Sequence, residues 1–259
     1  MPSDLIELFS IGTELTLGQI QDTNAHWIAQ QVFRLGGTVR RVTMLRDNAD
    51  EMRQAFSESI RRETGLILMT GGLGPTPDDM TSKIVAELTE RELIVDEETV
   101  QNYMERRQLT DRSEVSDSLL EMATVPAGAK IYQNSAGWAP LVWVEHQLST
   151  ILMMPGPPRE MKSVFEDHVA PLISERYSHL GASVRVAVNL PESRVSPLMQ
   201  EVMEKFPTVY LKAYVALRNE NGLAVDIITT GETQDEADQL VRQATDYFEQ
   251  LVRQTEPTL

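Results

Sequence analysis

The chain has 259 residues, 41% of them hydrophobic and 24% charged, an ordinary soluble balance with length for one large domain plus a smaller one. A formal net charge of −16 argues against a broad nucleic-acid surface, which needs clustered Lys and Arg, but not against a small phosphorylated ligand whose charge backbone N–H groups and a metal ion cancel locally. The absence of cysteine removes disulfides and thiolate chemistry, no apolar run approaches the roughly 18 residues of a membrane span, and the start MPSDLIELFS lacks a basic secretion signal, so a cytoplasmic protein without a membrane partner is expected.

The first half alternates strand and helix patterns. LIELFSIG (5–12) predicts a buried strand, and TNAHWIAQQVFRLGG a helix with Ala25, Ile28, Ala29, Val32 and Phe33 on one face and Gly36–Gly37 as its stop. TVRRVTML (38–45) predicts a second strand, and Asn48 or Asp50 a cap for the helix carrying Met52, Ala55, Phe56 and Ile60. LILMT (66–70) predicts a third strand, followed by a Gly- and Pro-rich loop and a helix from about 79 to 90. EETVQNYMERRQ is helical, and STILMMPGPPREMKSVFEDHVAPLISERY predicts a strand, a sharp Pro-fixed turn and another helix. This alternation implies an α/β fold, a three-layer, doubly wound, mostly parallel sheet over 1–178. From SVRVAVNL onward the pattern becomes strand, helix (192–205), strand (208–217), strand (223–230), helix (234–253), with RNENGL as a hairpin turn; this predicts a small α+β domain over 179–259.

Ligands of a doubly wound sheet bind beyond the C-terminal ends of its strands, where three informative loops fall: SIGTELTLGQIQDTN, LRDN and TGGLGPTPDD. In the third, Gly71, Gly72 and Gly74 allow close backbone approach, and the following helix start offers N–H groups to an anion. Pro75 and Pro77 stiffen the loop. Asp78 and Asp79 would repel a bare phosphate, so they point to a bridging cation such as Mg²⁺. The plainer alternative is a turn whose Asp79 caps a helix. In the first loop Glu14, Asp22 and Asn24 are candidates, although Asn24 can serve as the N-cap of a helix starting near Ala25 and Asp22 as a turn residue. Asp47 ends the second strand. His26, His146, His168 and His179 share no metal-ligand spacing, GGLGPT is not a Walker loop, and no G-x-S-x-G occurs.

GTELTLGQIQDTNAHWIA, TGGLGPTPDDMT, VPAGAKIYQNSAGWAP and MPGPPREM occur in an order that resembles the amino-terminal part of the CinA (competence/damage-inducible protein A) family, whose main domain is of the MogA/MoaB-like molybdopterin-binding type. The resemblance covers most of 4–175, and the remainder resembles that family's following small domain. It implies binding of a nucleotide or pterin pyrophosphate and, for some members, hydrolysis of ADP-ribose with a divalent metal (Mg, Mn or Co) and in some cases potassium. It also implies Asp47 and Asp79 as catalytic positions; Asp22 joins them as a catalytic candidate, with Asp78 and Asp79 as metal ligands. Gly12, Glu14, Asn24, Gly71, Gly72, Gly74, Pro75, Thr76, Thr81 and Gly156 are the corresponding substrate-binding candidates. A homo-oligomer is expected by the same resemblance. So is the absence of the nicotinamide-nucleotide deamidase activity into which many relatives continue.

Three departures stand out. Glu121 replaces a lysine usual before VPAGA, and Trp138 and Leu141 replace small residues of the usual Gly-Thr-Ala-Pro-Gly, which should add repulsion and narrow the pocket. The sequence therefore supports a metal-dependent nucleotide pyrophosphatase, with a molybdopterin-binding protein of molybdenum-cofactor assembly, or a non-catalytic nucleotide-binding module, as alternatives.

Overall fold

The computed structural model describes residues 5–177 and 180–255. In chain order it gives β1 (Ile6–Ile11), α1 (Thr13–Thr16), α2 (Thr23–Arg34), β2 (Val39–Leu45), α3 (Ala49–Arg61), β3 (Leu66–Thr70), α4 (Thr81–Leu88), β4 (Leu93–Val95) and α5 (Glu97–Arg107). There follow α6 (Asp117–Met122), β5 (Thr124–Pro126), β6 (Lys130–Tyr132), β7 (Leu141–His146), β8 (Ser149–Met154), α7 (Pro158–Val164) and α8 (Ala170–Arg176), the last two joined by a π-helical turn. The rest is β9 (Leu180–Val188), α9 (Glu192–Lys205), β10 (Tyr210–Asn219), β11 (Gly222–Gly231) and α10 (Gln234–Thr255).

The main sheet has the order β2-β1-β3-β8-β7-β6, with β2, β1, β3 and β8 paired in parallel and β7 running antiparallel to both its neighbours, β8 and β6. It is therefore mixed and mostly parallel. The apolar runs of β1, β3 and β8 are buried throughout, as strands covered on both faces require. Phe9, Ile11, Ile67 and Met69 pack against Met52 and Phe56 of α3 and Ile84 and Val85 of α4, with Phe9 and Phe56 edge to face at 5.1 Å. Alternation along the strands turns Leu8, Ser10, Leu68 and Thr70 to the opposite face, where α2 is tied down by Asn24 Nδ2 donating to Thr70 Oγ1. The chain leaves β1 for β2 on one side and returns to β3 on the other. This makes the β1/β3 boundary the point where strand order reverses, the place where such sheets hold ligands.

Local chemistry sets the helix starts. Asn48, not Asp50, caps α3, its side chain accepting from the N–H groups of Asp50 and Glu51. Asp22 Oδ1 accepts from Ala25 N and so caps α2, the role expected of Asn24. Residues 93–126 leave the sheet and build a small core of Val100, Tyr103, Val115, Leu119 and Ala123, closed by the β4–β5 pair.

Two compact units emerge, one of 1–32 and 38–173, the other of 33–37 and 174–259. The boundary expected between 178 and 179 lies outside the described residues, as does His179. The second unit is a three-stranded antiparallel sheet, β10-β11-β9, with α9 and α10 contributing Val195, Val202, Val241 and Phe248 to its core.

One buried ion pair anchors β1. Arg62 Nε and Nη2 donate to Glu7 Oε1 and Oε2 at 2.9 and 2.7 Å, and the Glu7 side chain is 5% exposed. Burial alone would raise the Glu7 carboxyl; hydrogen bonds from Arg62 and Ser59 and the charges of Arg62 and Arg41 outweigh it and hold the group below the usual range. A depressed carboxylate contributes stability above its unfolded pKa, and that contribution is lost as pH falls through the folded one. Arg62→Ala leaves Glu7 buried without its partner and should cost about 3 kcal/mol near neutrality. Denaturant unfolding should show the gap to wild type shrinking as pH is lowered through the carboxylate range; a pH-independent gap contradicts the assignment.

Candidate functional site

A cavity of about 570 Å³ opens at the C-terminal ends of β1 and β3, within the range of small-molecule sites. Three carboxylates from two loops are held there by backbone and hydroxyl donors. Asp47 Oδ2 accepts from Thr13 N at 2.7 Å and from Thr13 Oγ1 at 2.9 Å, which seats the first turn of α1 against the end of β2. Asp79 Oδ2 accepts from Thr76 N at 2.9 Å and lies 2.6 Å from Thr76 Oγ1, while that same hydroxyl also contacts Asp78 Oδ1. One hydroxyl proton cannot serve both carboxylates at once, so the cluster presents oxygens in excess of protons. The Thr76 bond, then one from its own backbone, holds the Asp78 carboxyl below the usual range.

The glycines have reasons of their own. A Cβ on Gly71 would lie 2.2 Å from the Ile11 carbonyl oxygen, and its φ of 101° disfavours any side chain. The corresponding space at Gly72 is filled by Thr81 Oγ1 and at Gly74 by the Asp79 carboxylate, at 2.2 and 2.5 Å. Gly72 and Gly74 are therefore small so that Thr81 and Asp79 can fold back over them; the expectation that their open faces cradle a ligand is corrected to that extent. Thr81 is fully buried, donates to the Gly71 carbonyl and does not line the cavity. Thr76 also stands outside the lining and acts through Asp79. α4 starts at Thr81 without a side-chain cap, so Asp79 is not its cap.

The other twelve expected site residues all line the one cavity: Gly12, Glu14, Asp22, Asn24, Asp47, Gly71, Gly72, Gly74, Pro75, Asp78, Asp79 and Gly156. Ser10, Thr70, Met122, Ala139 and Glu160 join them unforeseen, and Trp138, expected to narrow the pocket, forms part of its wall. Trp138 is braced from behind: Tyr103 Oη donates to its carbonyl at 2.7 Å, and the Arg106 and Arg107 guanidinium groups lie 4.1 and 4.9 Å from its ring centre. Leu141 is fully buried at the start of β7 and does not narrow this cleft as expected, and Glu121, expected to add repulsion, lines a neighbouring cavity instead. Glu160, in the first turn of α7, fills the space over Gly137. Burial raises its carboxyl above the usual range against the opposing effects of Arg106, the Trp138 N–H and Arg159. Its place in PPREM carried no signal because one Glu at a helix start reads as a dipole partner.

Charge is the outstanding property of the cleft. Glu14, Asp22, Asp47, Asp78, Asp79 and Glu160 line it, and among the described residues no Lys or Arg does. Also among the described residues, no group of three or more His, Asp or Glu is arranged to hold a metal unaided. The neighbouring carboxylates of Asp78 and Asp79, sharing the one Thr76 hydroxyl between them, fit a cation such as Mg²⁺, which takes one or two carboxylates and completes its shell from water and ligand phosphate.

The model of a family described as "probable molybdopterin binding domain" matches residues 7–175. A Pyrobaculum aerophilum protein is 33% identical over 95% of this chain and 93% of its own length, and one from Metallosphaera sedula is 32% identical over 98% and 96%. A competence-damage inducible protein of Alkaliphilus metalliredigens is 33% identical over 91% of this chain, which spans 56% of that relative. Among solved structures, CinA of Thermoplasma acidophilum, described as of unknown function, aligns with a TM-score of 0.61 at 26% identity, covering 66% of this chain and 99% of that one. No helix among the described residues is long and apolar enough to cross a membrane.

The two loop glycines should separate by mutation. Gly71→Ala drives a Cβ into a backbone carbonyl that has no freedom to retreat, and should cost about 3 kcal/mol or more of stability. Gly74→Ala meets only the end of a carboxylate side chain and should melt within a few degrees of wild type while displacing Asp79. Equal melting losses in the two variants would contradict this account of the loop.

Proposed function

The chain belongs to the molybdopterin-binding-domain family, with CinA-type relatives, and on that footing we propose that it is a metal-dependent nucleotide pyrophosphatase acting on ADP-ribose or a related dinucleotide. The observation that carries the proposal is the acidic lining: six carboxylates with no Lys or Arg among the described residues. A diphosphate brought alone into such a cleft is repelled; brought with a divalent cation, whose charge would offset both the phosphates and the carboxylates, it would be attracted.

In this reading Asp79 and Asp78 hold the cation and Thr76 fixes Asp79. The cation, when bound, neutralises charge developing on the phosphoryl oxygens. Asp47 has one oxygen committed to Thr13, which orients the carboxylate, and its other oxygen is left to accept the proton of an attacking water. The water oxygen bonds to phosphorus, the anhydride P–O bond breaks, and the two phosphate monoesters leave. Asp22, half engaged in capping α2, adds to the negative field that keeps the cation in place. The pterin alternative is favoured by the family description, which names a molybdopterin-binding domain.

ADP-ribose, FAD and NAD incubated with the protein and Mg²⁺, Mn²⁺ or Co²⁺, with and without potassium, should yield mononucleotides by chromatography. Asp47→Asn should retain the Thr13 bonds through its amide oxygen, fold normally, and lose activity by about 10²-fold or more. Asp79→Asn should raise the metal concentration needed. If no dinucleotide is cleaved with any metal while a pterin raises the melting temperature, binding without hydrolysis replaces this proposal.

A further inference from the structure

Two polar atoms at the floor of the cleft have no partner. Ser10 is 1% exposed and Asn24 9% exposed; Ser10 Oγ and Asn24 Oδ1 make no hydrogen bond, and both residues line the cavity. Burying such groups unpaired costs about 1–3 kcal/mol each, so their persistence calls for a partner that arrives from outside.

The neighbourhood fixes what kind. Ser10 and Thr70 are register partners on adjacent parallel strands and face the same side. Thr70 Oγ1 accepts from Asn24 Nδ2 at 3.0 Å and commits its only proton to the Pro155 carbonyl at 3.2 Å, so it has none to give Asn24 Oδ1. Asn24 Nδ2 also donates to the Gly156 carbonyl at 2.7 Å. A carbonyl only accepts, so this contact settles which end of the Asn24 amide is nitrogen, and Oδ1 is left as a pure acceptor. A phosphate oxygen, which also only accepts, is repelled there. An O–H or N–H group satisfies Asn24 Oδ1, and the Ser10 hydroxyl can then donate or accept in turn.

We infer that Ser10 and Asn24 form a subsite for an uncharged hydrogen-bond donor of the ligand, a sugar hydroxyl or a heterocycle N–H. The inference rests on the nucleotide-or-pterin reading and adds to it which part of the ligand goes deepest. It also explains why this floor is polar in a sheet whose neighbouring positions are Leu8, Leu68 and Met154.

Ser10→Ala tests it cleanly, because the hydroxyl removed has no partner in the protein. The unliganded variant should melt no lower than wild type, while calorimetric affinity for ADP-ribose with Mg²⁺, or for a free pterin, should fall about tenfold. ADP serves as a third probe: weakening with ADP-ribose and not with ADP assigns the subsite to the terminal ribose, and weakening with the pterin alone assigns it to the ring. Unchanged affinity for every probe overturns the inference, since a trapped water would then be the partner. A lowered melting temperature overturns it too, by showing a structural role for Ser10. If wild-type protein binds none of the three, the nucleotide-or-pterin reading itself fails.

Discussion

Six carboxylates facing one cleft without an opposing base is a costly arrangement, and the rest of the site is organised around it. Like charges at short range destabilise one another, and nothing in the sheet requires them to meet. Five of the six come from loops following β1, β2 and β3, and Glu160 from the start of the helix that follows β8. The strand order brings these ends together at the reversal point between β1 and β3, so a parallel sheet built from apolar runs is what concentrates acid at one rim. The protein as a whole carries −16, which gives no long-range help to an anion approaching alone.

Three of the six carboxylates are engaged by backbone N–H donors, which both offset their charge and fix the loops. Asp47 is tied to the α1 turn, Asp79 to Thr76, Asp22 to the start of α2. Each of these residues uses one oxygen in these bonds and keeps a second that takes part in none of them. The glycines complete the device by giving up the volume that Thr81, Asp79 and Glu160 occupy. Trp138, packed against a second small core, also lines the cleft, and the two guanidinium groups against its ring are not among the lining residues.

Much of the main sheet was legible because its strands are buried on both faces: LILMT and STILMM are continuous apolar runs bounded by turn residues, and β3 falls on 66–70 as expected. The β7–β8 hairpin was not, because its turn uses Gln147 at φ 53° where Asn-Gly or Gly would have signalled it, and β4, β5 and β6 are three residues each. The convergence of Asp47 and Asp79 was legible from strand ends alone. The division of labour within the loops was not: Asn24 and Asp22 exchange roles, since which of two adjacent polar residues caps a helix depends on what lies beneath the other, and here Thr70 and Gly156 lie beneath Asn24. Glu160 and Ser10 gave no signal because a lone Glu or Ser acquires meaning only from the surfaces packed around it.

On the proposed reading, a cation brought in with a diphosphate is what makes this acidic cleft a binding site. Crystals soaked with Mn²⁺ and a non-hydrolysable ADP-ribose analogue, measured at the manganese absorption edge, test it most directly. The account predicts an anomalous peak in contact with Asp79 or Asp78 and with the diphosphate, appearing only when both components are present. A nucleotide bound in the cleft with no metal beside it, or a peak far from these aspartates, would contradict it.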